Sequence, residues 1–312
     1  MEPEERRGMV LAAASYGLWG ILPVYWKWLG QVPSREILAH RIFWSFVFSV
    51  LAVLILRRGR EFLQAITLLP KQPRQLVLLG SAALIVSGNW YLYIWAVNHG
   101  FVTDASLGYY INPLVSALFG FIFLKERLSF WQTVSFAAAA IGVFLFIMAH
   151  GTFPWIAFGL AITFGLYGLF KKQVTFHALT GMAVETSFTV LFALAYLLFL
   201  AVGGRLAFGS GEIGTDLLLM GAGPATALPL ILFSAGARRI PLFMLGILQY
   251  IAPTLMLFLG VFLYRENLSG TDLAGFLFIW LALALFTLTN RKSMGPENRK
   301  KKDSARYGKG TF

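Results

Sequence analysis

Cysteine is absent from this 312-residue sequence, and charged residues make up only 13% of it. Without cysteine, the chain forms neither a disulfide framework nor a cysteine-ligated metal site. A soluble domain has about 25% charged residues, so the sequence lacks the polar surface that such a domain needs. It contains instead 58% hydrophobic residues, with 29 phenylalanines and 31 glycines. This composition predicts an integral membrane protein whose surroundings are the lipid bilayer.

Long runs without Asp, Glu, Lys or Arg predict where the chain crosses the bilayer. A helix of about 20 apolar residues spans the hydrocarbon core, and the runs predict an all-α protein with ten spans. Seven uncharged runs provide eight of the spans, because one run holds two, and the other two spans carry charge near one end, at Arg41 and Glu185. The segments are 8–26, 37–56, 75–103, 105–124, 128–170 (two spans, divided at 150–154), 180–202, 217–237, 240–264 and 273–290. The connection 57–75 has apolar residues at helical spacing, which predicts a short helix on the membrane surface.

The net charge of +12 is distributed unevenly between the two sides of the predicted membrane map. If both termini are cytoplasmic, 21 Lys and Arg lie inside and 4 outside, with Arg41 within a span. Such an excess is the positive-inside distribution of membrane proteins. The expected location is therefore the bacterial inner membrane, with an uncleaved first span. The charge is accounted for without a nucleic-acid partner.

An internal repeat divides the chain. Residues 110–129 and 250–269 match at a constant offset of 140, with seven of 20 positions identical, and 15–20 resemble 163–168 at an offset of 148. We expect a cytoplasmic tail at 1–8, repeats of five spans at 9–149 and 150–290, and a basic cytoplasmic tail at 291–312. An odd number of spans inverts the second repeat, and inverted repeats are the geometric basis of alternating access in transporters.

Several longer motifs resemble a known family. They lie at 17–27 (Gly-x-x-Gly-x-x-Pro-x-Tyr-Trp-Lys), 36–45 (Glu-x-x-x-His-Arg-x-x-Trp-Ser), 89–98, 105–114 and 249–254. The chain resembles, from about residue 8 to about 290, the chloramphenicol-sensitivity permeases in the EamA branch of the drug/metabolite transporter superfamily. The resemblance implies a ten-helix inner-membrane exporter with two EamA repeats, and it does not supply a substrate.

Amphipathic rings and amides inside the predicted spans are the candidate substrate-binding residues. They are Tyr16, Trp19, Asn89, Trp90, Tyr93, Tyr110, Asn112, Tyr167, Gln249 and Tyr250. Rings offer stacking area and amides fix orientation, which suits a mid-membrane pocket between the repeats for a small amphipathic metabolite or drug. The alternative is that the Trp and Tyr rings form interfacial belts.

Five further residues are candidates for gating or coupling: His40, Arg41, Pro113, Glu185 and Pro253. Intramembrane charges usually face a cavity or pair with another charge. For Arg41, three roles are open: contact with substrate or gating, an ion pair with Glu36, or an anchor whose charge reaches the lipid headgroups. For Glu185, two roles are open: proton coupling, or an ion pair with Lys171 or Lys172. Pro113 and Pro253 are expected to interrupt their helices at matched positions, as hinges or as structural kinks.

Other classes of protein are disfavoured by what the residues lack. The four histidines are scattered, none belongs to an HExxH motif, and the aspartates lie outside span interiors. We therefore expect no enzyme, no metal site and no cofactor. A channel or a non-transporting solute sensor remains an alternative to a carrier, and homodimer formation is left open.

Overall fold

The computed structural model describes residues 3–98, 101–126, 128–150, 154–263 and 270–292, and within these ranges the chain is helical without strands. The helices are α1 Pro3–Trp28, α2 Ser34–Ile55, α3 Gly59–Leu68, α4 Pro73–Asn98, α5 Val102–Leu124, α6 Phe130–His150, α7 Trp155–Gln173, α8 Ala178–Val202, α9 Ile213–Ala237, α10 Leu242–Gln249, α11 Ile251–Phe258 and α12 Gly270–Lys292. A short 3₁₀ turn, Leu69–Lys71, follows α3, and a π-helical turn, Leu259–Leu263, follows α11.

Within the described ranges, six helical segments are long and apolar enough to cross a membrane, judged by length and composition. They are Pro3–Trp28, Ser34–Ile55, Pro73–Tyr93, Leu107–Leu124, Ala178–Val202 and Ile213–Ala237. The prediction of an all-helical membrane protein is therefore confirmed. The predicted turns at residues 99–100 and 151–153, the loop 264–269 and the tail beyond residue 292 lie outside the described residues.

Two regions add detail to the segments predicted from the sequence: the start of α1 and the connection 57–75. Helix α1 already begins at Pro3, so the described part of the expected N-terminal tail is helical, and Gly8 packs against Arg239. The connection 57–75 contains α3, in which Ala65 is buried while Leu63 is 63% exposed. Helix α3 therefore has one packed face and one uncovered apolar face.

The helices of the two halves are interleaved. Helix α4 packs against α7, and in the same way α9 packs against α1. In addition, α2 contacts α8 and α9, α5 contacts α7 and α10, and α6 contacts α12. Two crossings bring backbones together: a Cβ at Gly223 would lie 2.4 Å from the carbonyl carbon of Trp44, and one at Gly246 would lie 2.7 Å from the carbonyl oxygen of Pro113. Glycine is required at both crossings because any side chain would collide.

The two prolines expected to interrupt helices behave differently. Helix α5 continues through Pro113, whereas the corresponding segment of the second half breaks at Tyr250, between α10 and α11, three residues before Pro253. A proline removes only one backbone donor, and a helix packed on both sides accommodates that loss. The expected interruption therefore occurs in the second half alone.

Candidate substrate cavity

A cavity of about 450 Å³ lies between the two halves and extends from the middle of α1 to the α1–α2 connection. Helices α1, α2, α4, α5, α7, α10 and α11 supply its wall, so both halves contribute. Its lining is mostly apolar and aromatic, with amides, phenols and two cations interspersed. This composition is that of a site for a small organic molecule.

Seven of the ten predicted substrate-binding residues line the cavity: Tyr16, Trp19, Asn89, Trp90, Tyr93, Asn112 and Gln249. Asn89 is buried, and its amide nitrogen donates to the carbonyl oxygen of Leu160 (2.9 Å) and to the hydroxyl oxygen of Thr163 (2.7 Å). Asn112 accepts a 3.3 Å hydrogen bond from Ser116 on its own helix. The Asn89 amide thus ties α4 to α7, and Asn112 and Gln249 supply the remaining amides of the lining.

The other three predicted residues, Tyr110, Tyr167 and Tyr250, are not in the cavity wall. Tyr250 is fully buried and donates a 3.1 Å hydrogen bond to the carbonyl oxygen of Tyr110, which joins α5 to the break between α10 and α11. The neighbour Tyr109 lines the cavity instead, with its ring 5.9 Å from that of Tyr93. Successive helical residues differ by about 100° in direction, so a Tyr-Tyr pair alone does not reveal which ring faces inward.

Arg41 lies in the cavity wall between two indole rings. Its guanidinium carbon is 4.6 Å from the ring centroid of Trp26 and 4.7 Å from that of Trp90. Its Nε atom donates a 3.0 Å hydrogen bond to the hydroxyl oxygen of Thr226 on α9. Both ring contacts have cation–π geometry, each contributing about 0.5–2 kcal/mol. Two aromatic rings and one hydrogen bond therefore hold the guanidinium in place.

Glu36 is not the partner of Arg41, and that alternative is wrong. The Glu36 carboxylate accepts a 2.6 Å hydrogen bond from the backbone nitrogen of Ala207 and lies 3.8 Å from His40 Nε2. Residues five apart on a helix point about 140° apart, whereas residues four apart share a face. His40 is buried beside Phe208, at a ring distance of 5.4 Å, outside the cavity wall.

Glu185 forms an ion pair in the interior. Its carboxylate lies 2.5 Å from Lys171 Nζ, and both side chains are almost fully buried. The Lys171 ammonium is 5.8 Å from the ring centroid of Tyr167. Lys172 instead donates to the carbonyl oxygen of Ile240 and lies 3.4 Å from the Glu126 carboxylate. Of the alternatives for Glu185, the structure contains the ion pair with Lys171.

A cluster of rings separates the cavity from this ion pair. Phe233 lies at its centre, 5.7 Å from Trp19, 5.5 Å from Phe164, 6.1 Å from Tyr16 and 5.7 Å from Tyr167, centroid to centroid. Tyr16, Trp19 and Phe164 face the cavity, and Tyr167 contacts Lys171 on the other side. We call these five rings the aromatic floor. It closes the end of the cavity away from the α1–α2 connection.

Several lining residues were missed by the sequence reasoning: Trp26, Lys27, Tyr109 and Phe164. Trp26 and Lys27 are the last two residues of the 17–27 motif, and this motif is the sequence feature that could have indicated them as lining residues. No group of three His, Asp or Glu residues that would hold a metal ion occurs among the described residues.

The sequence matches the model of the EamA-like transporter family twice, at residues 6–148 and 154–288. The chain belongs to the EamA-like transporter family. The match with this family covers both halves and nearly the whole of the described chain.

Similar proteins carry compatible names. The uncharacterized transporter YojE of Bacillus subtilis is 47% identical over 289 residues, covering 93% of this chain and 96% of YojE. Protein RarD of Escherichia coli is 41% identical over 285 residues, covering 91% and 95% of the two chains. A solved structure titled "Crystal structure of protein" superposes with a TM-score of 0.68 at 20% identity, covering 92% of this chain and 99% of the other.

These findings establish the general class of this EamA family member. It is a multi-pass membrane protein and a transporter, and it is not an enzyme. The resemblance seen in the sequence motifs is thereby confirmed.

Proposed function

We propose that this protein is a secondary active transporter of the bacterial inner membrane, which moves a small amphipathic organic metabolite or drug by alternating access. The observation that carries the proposal is the cavity of about 450 Å³ between the halves, walled by aromatic rings and amides from both. Carriers place their substrate site at the interface of their repeats. A relative from Pseudomonas aeruginosa, 29% identical, is named chloramphenicol-sensitive protein RarD, and this name supports a drug-like solute.

The proposal includes ten spans in two inverted repeats. Three helices of the first half, α4, α5 and α6, begin 140 residues before α9, α10 and α12. The packing of α4 on α7 and of α9 on α1 corresponds to exchange of the two halves. Both observations support a two-fold relationship between repeats that enter the membrane from opposite sides.

The structure fits one of the two states that alternating access requires. The cavity reaches the α1–α2 connection, which the charge distribution assigns to the outside, while the aromatic floor blocks the inner end. In the opposite state the floor separates and the outer end closes. Bending at Pro113 and at the break before Pro253 would accommodate this movement, with the Lys171–Glu185 pair below the floor as the candidate for coupling.

The test compares export by cells that lack or overproduce the protein. Untargeted analysis of the medium identifies solutes that accumulate only on overproduction, and Tyr93→Ala should lower their export at least about tenfold by removing a wall ring. Tyr91→Ala is the matched control, because Tyr91 is exposed on the same helix and does not line the cavity. Equal export by both variants at equal membrane abundance would contradict the proposed site. Counterflow in proteoliposomes then separates a carrier from a sensor, which binds solute without moving it.

A further inference from the structure

We propose that the transported solute is an organic anion, specifically a carboxylate attached to an apolar or aromatic body, and that Arg41 binds its charge. This inference rests on the proposed function of the cavity as the transport site. It assigns to Arg41 direct contact with solute, in place of gating or coupling.

The charges of the cavity wall are of one sign. Arg41 and Lys27 line the cavity, and the described lining contains no Asp or Glu. A positive charge in a membrane interior is costly unless a partner or water compensates it. An anionic solute is attracted by this wall, a cationic solute is repelled, and low polarity of the surroundings strengthens both effects.

The geometry of Arg41 leaves its hydrogen-bonding end available. The Nε atom donates to Thr226, and the indoles of Trp26 and Trp90 contact the guanidinium. Within the part of the chain that the structure describes, the two terminal NH₂ groups have no hydrogen-bond acceptor and no carboxylate lies within 4.0 Å. A guanidinium fixed in this way presents a rigid pair of donors that matches the two oxygens of a carboxylate.

The nearest carboxylate on the same helix is committed elsewhere. Glu36 accepts from Ala207 and faces away from the cavity, so it does not neutralise Arg41. The polar groups facing Arg41 across the cavity are the phenols of Tyr93 and Tyr109, which are neutral. An anionic solute in the cavity would therefore supply the negative charge that the described wall lacks.

The rest of the wall selects the body of the solute. Trp19, Trp90 and Phe164 offer flat apolar surface, and the volume lies in the lower part of the range for small-molecule sites, about 300–1,000 Å³. A carboxylate with one or two rings satisfies both the charge and the surface. Phosphate esters would also bind a guanidinium, but their second charge and hydration fit this largely apolar wall less well.

The experiment measures binding to the purified protein through the fluorescence of its tryptophans, since two of them flank Arg41. The probes are phenylacetate and 3-phenylpropanoate, their amides, and 2-phenylethylamine. The carboxylates should bind roughly 10- to 100-fold more tightly than the amides, as expected for a charge-assisted pair of hydrogen bonds, and the amine should bind least.

Variants assign the preference to the residue. Arg41→Gln should abolish the difference between carboxylate and amide, and Arg41→Lys should retain part of it, which excludes simple misfolding as the cause. Arg35→Gln is the matched control, because Arg35 is exposed near the start of the same helix and does not line the cavity. Carboxylates that bind no better than amides, or not at all, would overturn the inference. So would a preference that survives Arg41→Gln.

Counterflow with the same probes separates this inference from the proposed function. Tight binding of carboxylates without exchange across proteoliposomes would retain the anion site and remove transport. Exchange of carboxylates and amides at equal rates, neither changed by Arg41→Gln, would retain transport and overturn the anion site.

Discussion

The Nε atom of Arg41 donates a 3.0 Å hydrogen bond to the hydroxyl oxygen of Thr226, and this bond joins α2 in the first half to α9 in the second. It fixes the guanidinium in contact with two indoles, those of Trp26 and Trp90. We expect Thr226→Val to lower the free energy of unfolding by about 0.5–1.5 kcal/mol and to weaken phenylacetate binding about five- to tenfold. Thermal unfolding and tryptophan fluorescence of the purified protein measure the two effects.

A second buried threonine provides the control for this change. Thr189 donates within its own helix, to the carbonyl oxygen of Thr186, and does not touch the cavity. Thr189→Val should leave binding unchanged. If both variants weaken binding equally, the Thr226 hydroxyl has no specific role in orienting Arg41.

The Lys171–Glu185 pair predicts strong non-additivity between substitutions. Either Lys171→Met or Glu185→Gln leaves one buried charge without its partner and should lower the free energy of unfolding by about 3–5 kcal/mol. The double variant removes both charges and should recover most of this loss. Thermal unfolding of the four proteins completes the cycle, and additive losses would show that the two groups do not interact.

Transport by the double variant decides whether the pair has a second role. If the pair is only structural, a double variant that has recovered its stability should export at the unmodified rate. Loss of export in a stable double variant would instead show that the Lys171–Glu185 pair takes part in transport.

Glu126 joins the α5–α6 connection to the start of α10. Its two oxygens accept hydrogen bonds from the backbone nitrogens of Leu242 (2.8 Å) and Phe243 (3.2 Å). Because these donors lie at a helix N-terminus, a carboxylate there is favoured, and Glu126→Ala should cost about 1–2 kcal/mol of the free energy of unfolding. Glu61→Ala breaks an exposed pair with Arg58 and should cost less than about 0.5 kcal/mol. Equal losses in chemical denaturation would argue against the cap.

His177 caps the start of α8, where its Nδ1 atom accepts a 3.4 Å hydrogen bond from the backbone nitrogen of Leu179. Only the neutral imidazole offers this acceptor. Protonation of His177 therefore removes the cap and adds a positive charge at a helix N-terminus, where positive charge is unfavourable.

The surroundings of His177 give the pH dependence its sign. Burial, followed by the cations of Arg58, Arg238 and Arg239, lowers the pKa of His177 below its ordinary value of 6.5, and Glu61 opposes this effect. Since the folded protein resists protonation more than the unfolded chain does, stability should fall as the pH drops through 6.5 toward the lower pKa. His177→Asn keeps a cap without titrating. Between pH 7 and pH 5 the melting temperature of this variant should fall less than that of the unmodified protein. If the melting temperatures of the two proteins fall equally with pH, His177 is not the titrating cap.

The charge distribution predicts that both termini are cytoplasmic. A fluorescent reporter fused after Asn290 should be bright, and alkaline phosphatase fused there should be inactive. The paired control is fusion at Arg205, in the α8–α9 connection, for which the opposite pattern is expected. Phosphatase activity after Asn290 would overturn the proposed topology.

The sequence predicted the positions of the helices because charges mark the ends of apolar runs. Burying a charge in a bilayer is costly, and the segment 180–202, for example, agrees with α8 to within two residues at its start. Helix α1 begins before the predicted apolar span, at Pro3, and residues 3–7 of this extension are largely exposed. Glu4 and Glu5 in the first turn favour a helix N-terminus, and an exposed polar turn of this kind is not part of an apolar run.

The rotation of each helix and its distant partners were beyond the sequence pattern. Tyr109 and Tyr110 are the same residue type, so the sequence does not distinguish them. The packing of α5 against α7 and α10 decides that Tyr109, and not Tyr110, lines the cavity. The partner of Glu36 is the backbone nitrogen of Ala207, in a connection of the other half. Hydropathy periodicity identifies segments, and it does not pair a side chain with a distant peptide group.

The interleaving of the halves has a consequence for biosynthesis. Four polar side chains of the first half have hydrogen-bond partners in the second half. The bonds are Ser15 to the Pro229 carbonyl oxygen, the Ala207 backbone nitrogen to Glu36, Asn89 to the Leu160 carbonyl oxygen, and Arg41 to the Thr226 hydroxyl. At about 5–20 residues per second, the ribosome needs roughly 10–30 s to supply the second half. During that interval the first half is in the membrane without these partners for its polar groups. We expect this half-made protein to depend on the insertion machinery or on chaperones, and to be the stage at which membrane proteases remove failed copies.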